Sequence, residues 1–430
     1  MTRAMRRPVV AATGALLLAA TTAACGSGGE SGETEGDALT VWIMQGTNPS
    51  ADDFFAEVST AFEEQTGATL DVEFVEWADA HDRFVTSIAG GTTPDVAETG
   101  STWTAEFADA GALAPLDEHV DDAGVSDDLV EGLVEAGTYD EQLYGMPWYA
   151  GVRSLVYNTE MFEQAGVEPP ATWAELEEAA AGLKEEYPDK IAVAVPGDAE
   201  FTVYPWVWAA GGEVATLEGD TWTSGLDSPQ AQEGIAFWTG LATEGGYSSA
   251  GATTWRETDV LDAFAAGDVG MAVMGSWTPG AIVDQNPDME GNFAAVPIPG
   301  KDGGIAPSVL GGSHLSMFET AEDKDLAFQF IEMMTTGDFA QQWGEQSGYF
   351  PGQVSLLDET LESTDPLVAP FAEQFVDGGA APPVAPTYGA VQAKLTTSTM
   401  MQSILSGDAD VAEASKAAAE EMTSVLNGSE

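Results

Sequence analysis

Cysteine is almost absent. Cys25 is the single thiol in 430 residues. That excludes a disulfide framework, a CxxC redox pair and a cysteine-built zinc site. Histidine is scarce too, and His81, His119 and His314 stand too far apart in sequence to suggest a metal site. Cations are few: Lys+Arg 12 against Asp+Glu 72 give a net charge of −60. Nucleic acid and anionic lipid are bound mainly through Lys and Arg, so this surface repels both. After residue 24 the only arginines are Arg83, Arg153 and Arg256. Catalytic signatures are missing as well. There is no HExxH, GxSxG, Walker A or Rossmann GxGxxG sequence. Among 72 acids, chance carboxylate pairs must occur, but none stands out as a glycosidase pair.

Long hydrophobic runs are absent except at the N-terminus. Arg3, Arg6 and Arg7 precede an apolar stretch, residues 8–24, that has the length and small-residue character of a signal-peptide core. Thr22-Ala23-Ala24-Cys25 resembles a bacterial lipobox, with Thr22 in place of the usual Leu. Residues 1–24 are therefore expected as a signal peptide. Residues 25–38 are expected as a lipidated cysteine and a flexible Gly/Ser/Glu tether. Two acyl chains or more would hold such an anchor at the extracytoplasmic face of the membrane. Arg6-Arg7 leaves the general secretory and twin-arginine export routes both open.

What is present reads as α/β. Apolar residues make up 44%, enough for real cores, and the length suits two domains. LTVWIM at 39–44 is a buried-strand run. Phe54, Phe55, Val58 and Phe62 follow at helical spacing, with Gly67 as a stop. Leu70, Val72 and Phe74 alternate as a strand. Phe84 and Ile88 mark a helix, 95–98 a short strand and 103–110 a helix. The theme repeats with strands at 154–157, 191–195 and 270–274. Thr172 and Glu175 suggest a capping box, and Ser228-Pro229 opens a helix. A further strand is expected near 313–318, then a helix at 321–336 and helices after Val391. Successive βα units imply sheets covered by helices on both faces.

Twelve tryptophans are many, and several fall where loops should leave strands: Trp77, Trp103, Trp148, Trp206, Trp255 and Trp277. Flat aromatic walls with a few polar groups suit sugar rings, which have apolar faces and polar rims. Packing competes with that reading for any one of them. Trp42, Trp173, Trp238 and Trp343 fall on strand or helix faces and are assigned to packing.

Motifs spread in order along residues 39–425 carry a resemblance. They are LTVWIMQG, FEEQTGATLDVEFVEW, AGGTTPDVAETGSTWTAEFADAGALAPLD, LYGMPWYAGVRSLVYNTEMFEQAG, TWAELEEAA, YPWVWAAGG, AFAAGDVGMAVMGSW and VLGGSHLSMF. After a lipobox, this series resembles the extracellular solute-binding proteins of bacterial ATP-driven (ABC) sugar importers, the family that includes maltose-binding protein. The resemblance implies a two-lobed periplasmic-binding-protein-like fold with a hinge and a central ligand cleft. Lobe one would be 39–150 plus 311–357, and lobe two 151–310 plus 358–425. Crossings would lie near Ala150-Gly151, 307–311 and 357–362. The implied partners are a carbohydrate, permease subunits of the transporter and the membrane through the lipid anchor. The protein would be a monomer that needs no cofactor and catalyses nothing.

Carried over position by position, the resemblance lines the cleft with Gln45 and Gly46 at the end of the first strand. Thr102 and Trp103 follow the third strand, and Trp148 precedes the first crossing. Tyr204 and Trp206 come from lobe two. Trp277 is a stacking wall, Gly312 and Ser313 offer backbone and hydroxyl, and Tyr388 is a further wall. Glu76 and Asp79 would accept hydrogen bonds from sugar hydroxyls. Arg153 would reach the cleft or pair with a carboxylate near the crossing. Gly151 stands where maltose-binding protein has an acidic residue, so maltose specificity does not carry over. Other readings are a binding protein for another solute such as a polyamine, a secreted carbohydrate-active enzyme, or an adhesin. Mass spectrometry of the exported protein should find a mature chain that starts at a lipidated Cys25. An unmodified N-terminus would remove the anchor without touching the reading of the body.

Overall fold

Hydrophobic spacing accounts for the first βα units. In the computed structural model, β1 (Ala38–Gln45) buries Leu39, Val41, Trp42, Ile43 and Met44. Helix α1 (Asp52–Thr66) turns Phe54, Phe55, Val58 and Phe62 onto the sheet. It ends at Gly67, whose φ of 78° is the left-handed cap that glycine adopts without strain. β2 (Thr69–Glu76) lies parallel to β1 along its whole length. Helix α2 (Trp77–Gly90) follows at once and buries Phe84. β3 (Val96–Gly100) is buried throughout, and Trp103 stands at the N-cap of the short helix α3 (Thr104–Asp109). The structure describes residues 38–45, 50–219, 221–363 and 365–428. The expected leader, Cys25, most of the tether and Gly46 lie outside the described residues.

The strand expected at 154–157 is part of a much longer one. β4 (Met146–Asn158) has 13 residues and crosses the molecule, just after helix α4 (Glu131–Gly137). The other strands of the main sheet are β5 (Ile191–Val193), β6 (Val269–Gly275), β7 (Phe293–Val296), β8 (Ser308–Met317), β9 (Phe350–Pro351) and β10 (Gly379–Ala380). They join one ten-stranded sheet in the order β2-β1-β3-β8-β4-β6-β5, with β7 and β9 also on β4 and β10 on β8. The first half of β4 pairs antiparallel with β8, Gly151 opposite Gly311 and Tyr149 opposite Ser313. Its second half pairs with β6 and β7. β8 in turn pairs with β3. Two long strands therefore belong to both halves of the sheet.

Helices cover the rest. α5 (Tyr204–Ala209), α6 (Glu257–Ala265), α7 (Tyr388–Ala393) and α8 (Thr396–Ser406) belong to the second half. Residues 354–361, at the place of an expected crossing, are helical. The capping box is partial: Thr172 Oγ1 accepts from the Glu175 N–H at 3.2 Å, but Glu175 reaches back to the Ala171 N–H at 2.8 Å. Each half has a core of its own. Val41, Ile43, Phe54, Phe55, Phe62 and Phe330 pack together in one. Trp173, Tyr204, Trp206, Trp238 and Tyr388 pack in the other. A further cluster with Leu133, Ala150, Val156, Phe264 and Phe350 spans both halves. Each fully buried large side chain contributes about 1.5–3 kcal/mol. Among the described residues no helix is long and apolar enough to cross a membrane.

A buried carboxyl ties the central strands together. Glu98 on β3 is 1% exposed. It accepts hydrogen bonds from the Met44 N–H of β1 at 2.8 Å, from Ser313 Oγ of β8 at 2.7 Å and from the Tyr149 hydroxyl of β4. Desolvation pushes its pKa from 4.5 up to about 7, against the pull of those three donors. The folded protein therefore binds more protons than the unfolded chain between those two values. Stability is greatest on the acid side and falls as pH rises through that window. In Glu98→Gln the amide mimics the protonated acid. Urea unfolding should show the variant gaining on the wild type between pH 5 and pH 8, by up to roughly 3 kcal/mol. An equal difference at both values would show that burial does not hold the proton on Glu98.

Candidate functional site

A cleft of about 380 Å³ opens where β2, β3, β5 and β6 end. Ligand sites of open α/β sheets lie outside the carboxyl ends of their strands. Trp77, the residue after β2, and Trp103, three residues after β3, form one wall, with ring centroids 5.5 Å apart. Tyr149, Gly151, Gly312, Ser313 and Tyr349 form the floor. Phe201, Arg153, Arg256, Glu257, Gln392 and Trp277 form the opposite wall.

Trp277 lies flat because two glycines let it. A Cβ on Gly151 would come within 2.6 Å of its ring, and one on Gly275 within 2.3 Å. Any side chain at either position would lift the indole off the strands. Tyr349 stacks on Trp277 at 5.2 Å and on Tyr149 at 3.9 Å. The Arg153 guanidinium sits 5.0 Å from the Trp277 ring and 4.9 Å from Phe201. The Trp277 Nε1 is buried, with no hydrogen-bond partner among the described residues.

The cleft carries charge in pairs. Arg153 Nη2 bonds both Glu257 oxygens, at 2.8 and 3.0 Å, and its Nε bonds Oε1 at 3.2 Å. Arg256 Nε lies 3.4 Å from Asp198 Oδ2. So two of the three arginines beyond residue 24 line one cleft, each against a carboxylate. Behind the wall, Glu200 accepts from Gln392 Nε2 at 2.5 Å and from the Tyr204 hydroxyl at 3.4 Å. Desolvation pushes its pKa up to about 7, and its two donors and Arg153 oppose that rise. Ordinary carboxylates elsewhere on the surface give the protein its charge; the cleft itself is close to neutral.

Of the expected residues, Thr102, Trp103, Trp277, Gly312 and Ser313 come together in the cleft, and so does Arg153. Arg153 both reaches the cleft and pairs with a carboxylate. Four expected walls are corrected by burial. Trp148 is 1% exposed and stacks on Trp343 at 5.2 Å in the first core, outside the cleft lining. Tyr204, Trp206 and Tyr388 are fully buried. The Trp206 indole stacks on Trp238 at 4.8 Å, and the Tyr204 and Tyr388 hydroxyls bond each other at 3.0 Å. Gln45 and Glu76 bond each other at 2.8 Å outside the cleft lining, and Asp79 is exposed in the first turn of α2. Sequence reasoning missed Phe201, Asp198, Arg256, Glu257, Tyr349, Gln392 and Leu395. Two signals were available: the rarity of arginine, and the position of Asp198 and Phe201 just after β5.

Residues 47–341 match the family of bacterial extracellular solute-binding proteins. The diacetylchitobiose-binding protein DasA of Streptomyces coelicolor is 27% identical over 404 residues, which cover 90% of this chain and 91% of DasA. A maltotriose-binding protein of Pyrococcus abyssi is 27% identical over 336 residues, 75% of this chain and 68% of its own. An ABC transporter solute-binding protein from Thermotoga lettingae, solved with α-D-tagatose, superposes with a TM-score of 0.82 at 28% identity. That alignment covers 91% of this chain and 100% of the other. These relatives are binding proteins, with the same two-lobed fold. With well over half its length inside the family match, the chain belongs to the bacterial extracellular solute-binding proteins.

Proposed function

We propose that the cleft binds a carbohydrate, an oligosaccharide by preference, and that the protein delivers it to the permease subunits of an ABC importer. The observation that carries this is the cleft's composition: indole walls on both sides with charges that cancel in pairs. Indole faces match the C–H faces of a pyranose, while paired guanidinium and carboxylate groups offer donors and acceptors to its hydroxyls without net charge. The sugars bound by DasA, the Pyrococcus protein and the Thermotoga protein are in keeping with it. A polyamine would need unpaired carboxylates. Asp198 and Glu257 each hold an arginine, and Glu200 is held by Gln392 and Tyr204. The same pairing leaves the cleft without a free acid–base couple, so we read the protein as a receptor that catalyses nothing.

The proposal extends to the whole chain. Lobe one would be 39–150 with 311–357, and lobe two 151–310 with 358–425. β4 and β8 would act as the hinge on which the lobes close over the sugar. A lipidated Cys25 would keep a monomer at the extracytoplasmic face beside its permease.

Thermal-shift screening over mono- and oligosaccharides, polyamines and amino acids tests the ligand class directly. Tight binding raises the melting point by mass action, so oligosaccharides should give the largest shift. A shift confined to polyamines or amino acids would end the carbohydrate reading. Two tryptophan variants should then separate. Trp277→Ala should weaken sugar binding by roughly ten- to a hundredfold, about 1.4–2.7 kcal/mol, in addition to the stability lost with a ring that is only 7% exposed. Trp148→Ala should instead destabilise the fold by about 3–5 kcal/mol, the usual cost of emptying an aromatic core site. Calorimetry and urea unfolding on both variants would expose the assignment as wrong if the effects were exchanged.

A further inference from the structure

One hydrogen bond joins the two cleft walls directly. Trp103 packs in the first half with Trp77 and Phe84. Gln392 lies on α7, which is anchored in the second core by Tyr388 and Val391. Trp103 Nε1 donates to Gln392 Oε1 at 3.1 Å, and Gln392 Nε2 donates to Glu200 Oε1 at 2.5 Å. The same seam is tight one helical turn earlier. A Cβ on Gly389 would fall 1.8 Å from Glu106 Oε2 and 3.1 Å from His81 Nε2, the two groups of the lobe-one pair His81–Glu106. Helix α7 therefore presses a bare backbone and one amide against lobe one.

The chemistry of the three groups fixes a direction. An indole N–H can only donate, an ionised carboxylate can only accept, and a glutamine amide has one end of each kind. With Glu200 ionised, just one amide orientation satisfies both neighbours. With Glu200 protonated, its O–H can donate to the amide oxygen, which the indole also needs, and the amide is free to turn over.

We infer that Gln392 is a positioning residue: it latches lobe two to the Trp103 wall when the cleft closes, and Glu200 holds it in the latching orientation. The latch acts on the lobes themselves and does not depend on which solute enters. Several charged and titratable groups face Glu200. Tyr204 donates to it, Tyr388 stands behind Tyr204, and Arg153 and Glu257 act from the cleft wall. Across the seam lie His81 and Glu106. Burial raises the Glu200 pKa to about 7, and the Gln392 donor opposes that rise, so the latch bond and the ionisation of Glu200 are coupled.

The test is a distance between the lobes in the full, sugar-free protein. Spin labels on Val85→Cys of α2 and Leu217→Cys of lobe two, both on exposed residues, report closure in a Cys25→Ser background. At pH 8 the wild type should populate the short distance of this structure. Gln392→Ala, and Trp103→Phe, which keeps a ring but loses the N–H, should each cut that population at least twofold. The double variant should be no worse than the more severe single one, as two ends of one bond require. Between pH 8 and pH 6 the closed population should change in the wild type and in Glu98→Gln, but not in Glu200→Gln. An unchanged distribution in Gln392→Ala, additive losses in the double variant, or a pH response retained in Glu200→Gln would each overturn the latch. No sugar enters these measurements, so a failed sugar screen and a failed latch remain distinct results.

Discussion

The pairing of β4 with β8 is the constraint on which the rest depends. These two strands belong to both halves of the sheet, and they run side by side under the cleft. Their backbones must approach closely there. A Cβ on Gly312 would lie 2.3 Å from the Tyr149 carbonyl oxygen, so no side chain fits between the strands at that point. One residue away, Tyr149 and Ser313 turn their hydroxyls down onto Glu98. One layer of backbone thus serves as cleft floor and as the link between the lobes. Under the proposed hinge, a solute resting on the floor would press on the link itself.

Charge is managed around that floor rather than at it. A net charge of −60 acts on everything that approaches the protein. The cleft escapes the field locally by two devices. Arg153 and Arg256 each hold a carboxylate, and the buried Glu98 and the desolvated Glu200 are both pushed up to about 7, near neutrality. A solute without charge meets aromatic faces and satisfied ion pairs there, so it enters without displacing a counter-charge. Arginine is rare in this chain, and that rarity makes its concentration in one cleft informative.

Much of the fold was legible in the sequence because periodicity reports burial. The α1 face of Phe54, Phe55, Val58 and Phe62, the Gly67 stop and the β6 run all follow from spacing. β4 extends well beyond the expected 154–157 because its neighbours β8 and β9 supply pairing that no local pattern shows. The site was half legible for a related reason. Loop tryptophans marked the right region, but exposure depends on which way a side chain leaves the backbone. Trp148 and Tyr149 touch at 4.9 Å and both pack against Trp343, yet only Tyr149 reaches the cleft lining. Tyr204 and Trp206 lie on a short helix whose aromatic face turns to the second core. Partners brought in from far away, such as Tyr349 and Gln392, have no local mark at all.

Two kinds of contact connect the lobes, and they differ in what they allow. Tyr149, Tyr349, Trp277, Arg153 and Phe201 form a run of stacked faces across the crossing. Stacking and cation–π attraction vary gently with lateral offset, so such a run can slide without losing all of its energy. The Trp103–Gln392–Glu200 chain behaves differently, because a hydrogen bond weakens steeply once its angle or length is lost. The stacked run accommodates a range of lobe positions, whereas the hydrogen-bonded chain selects one. A receptor that must move freely and still stop at a defined geometry needs both, and here both reach the same cleft.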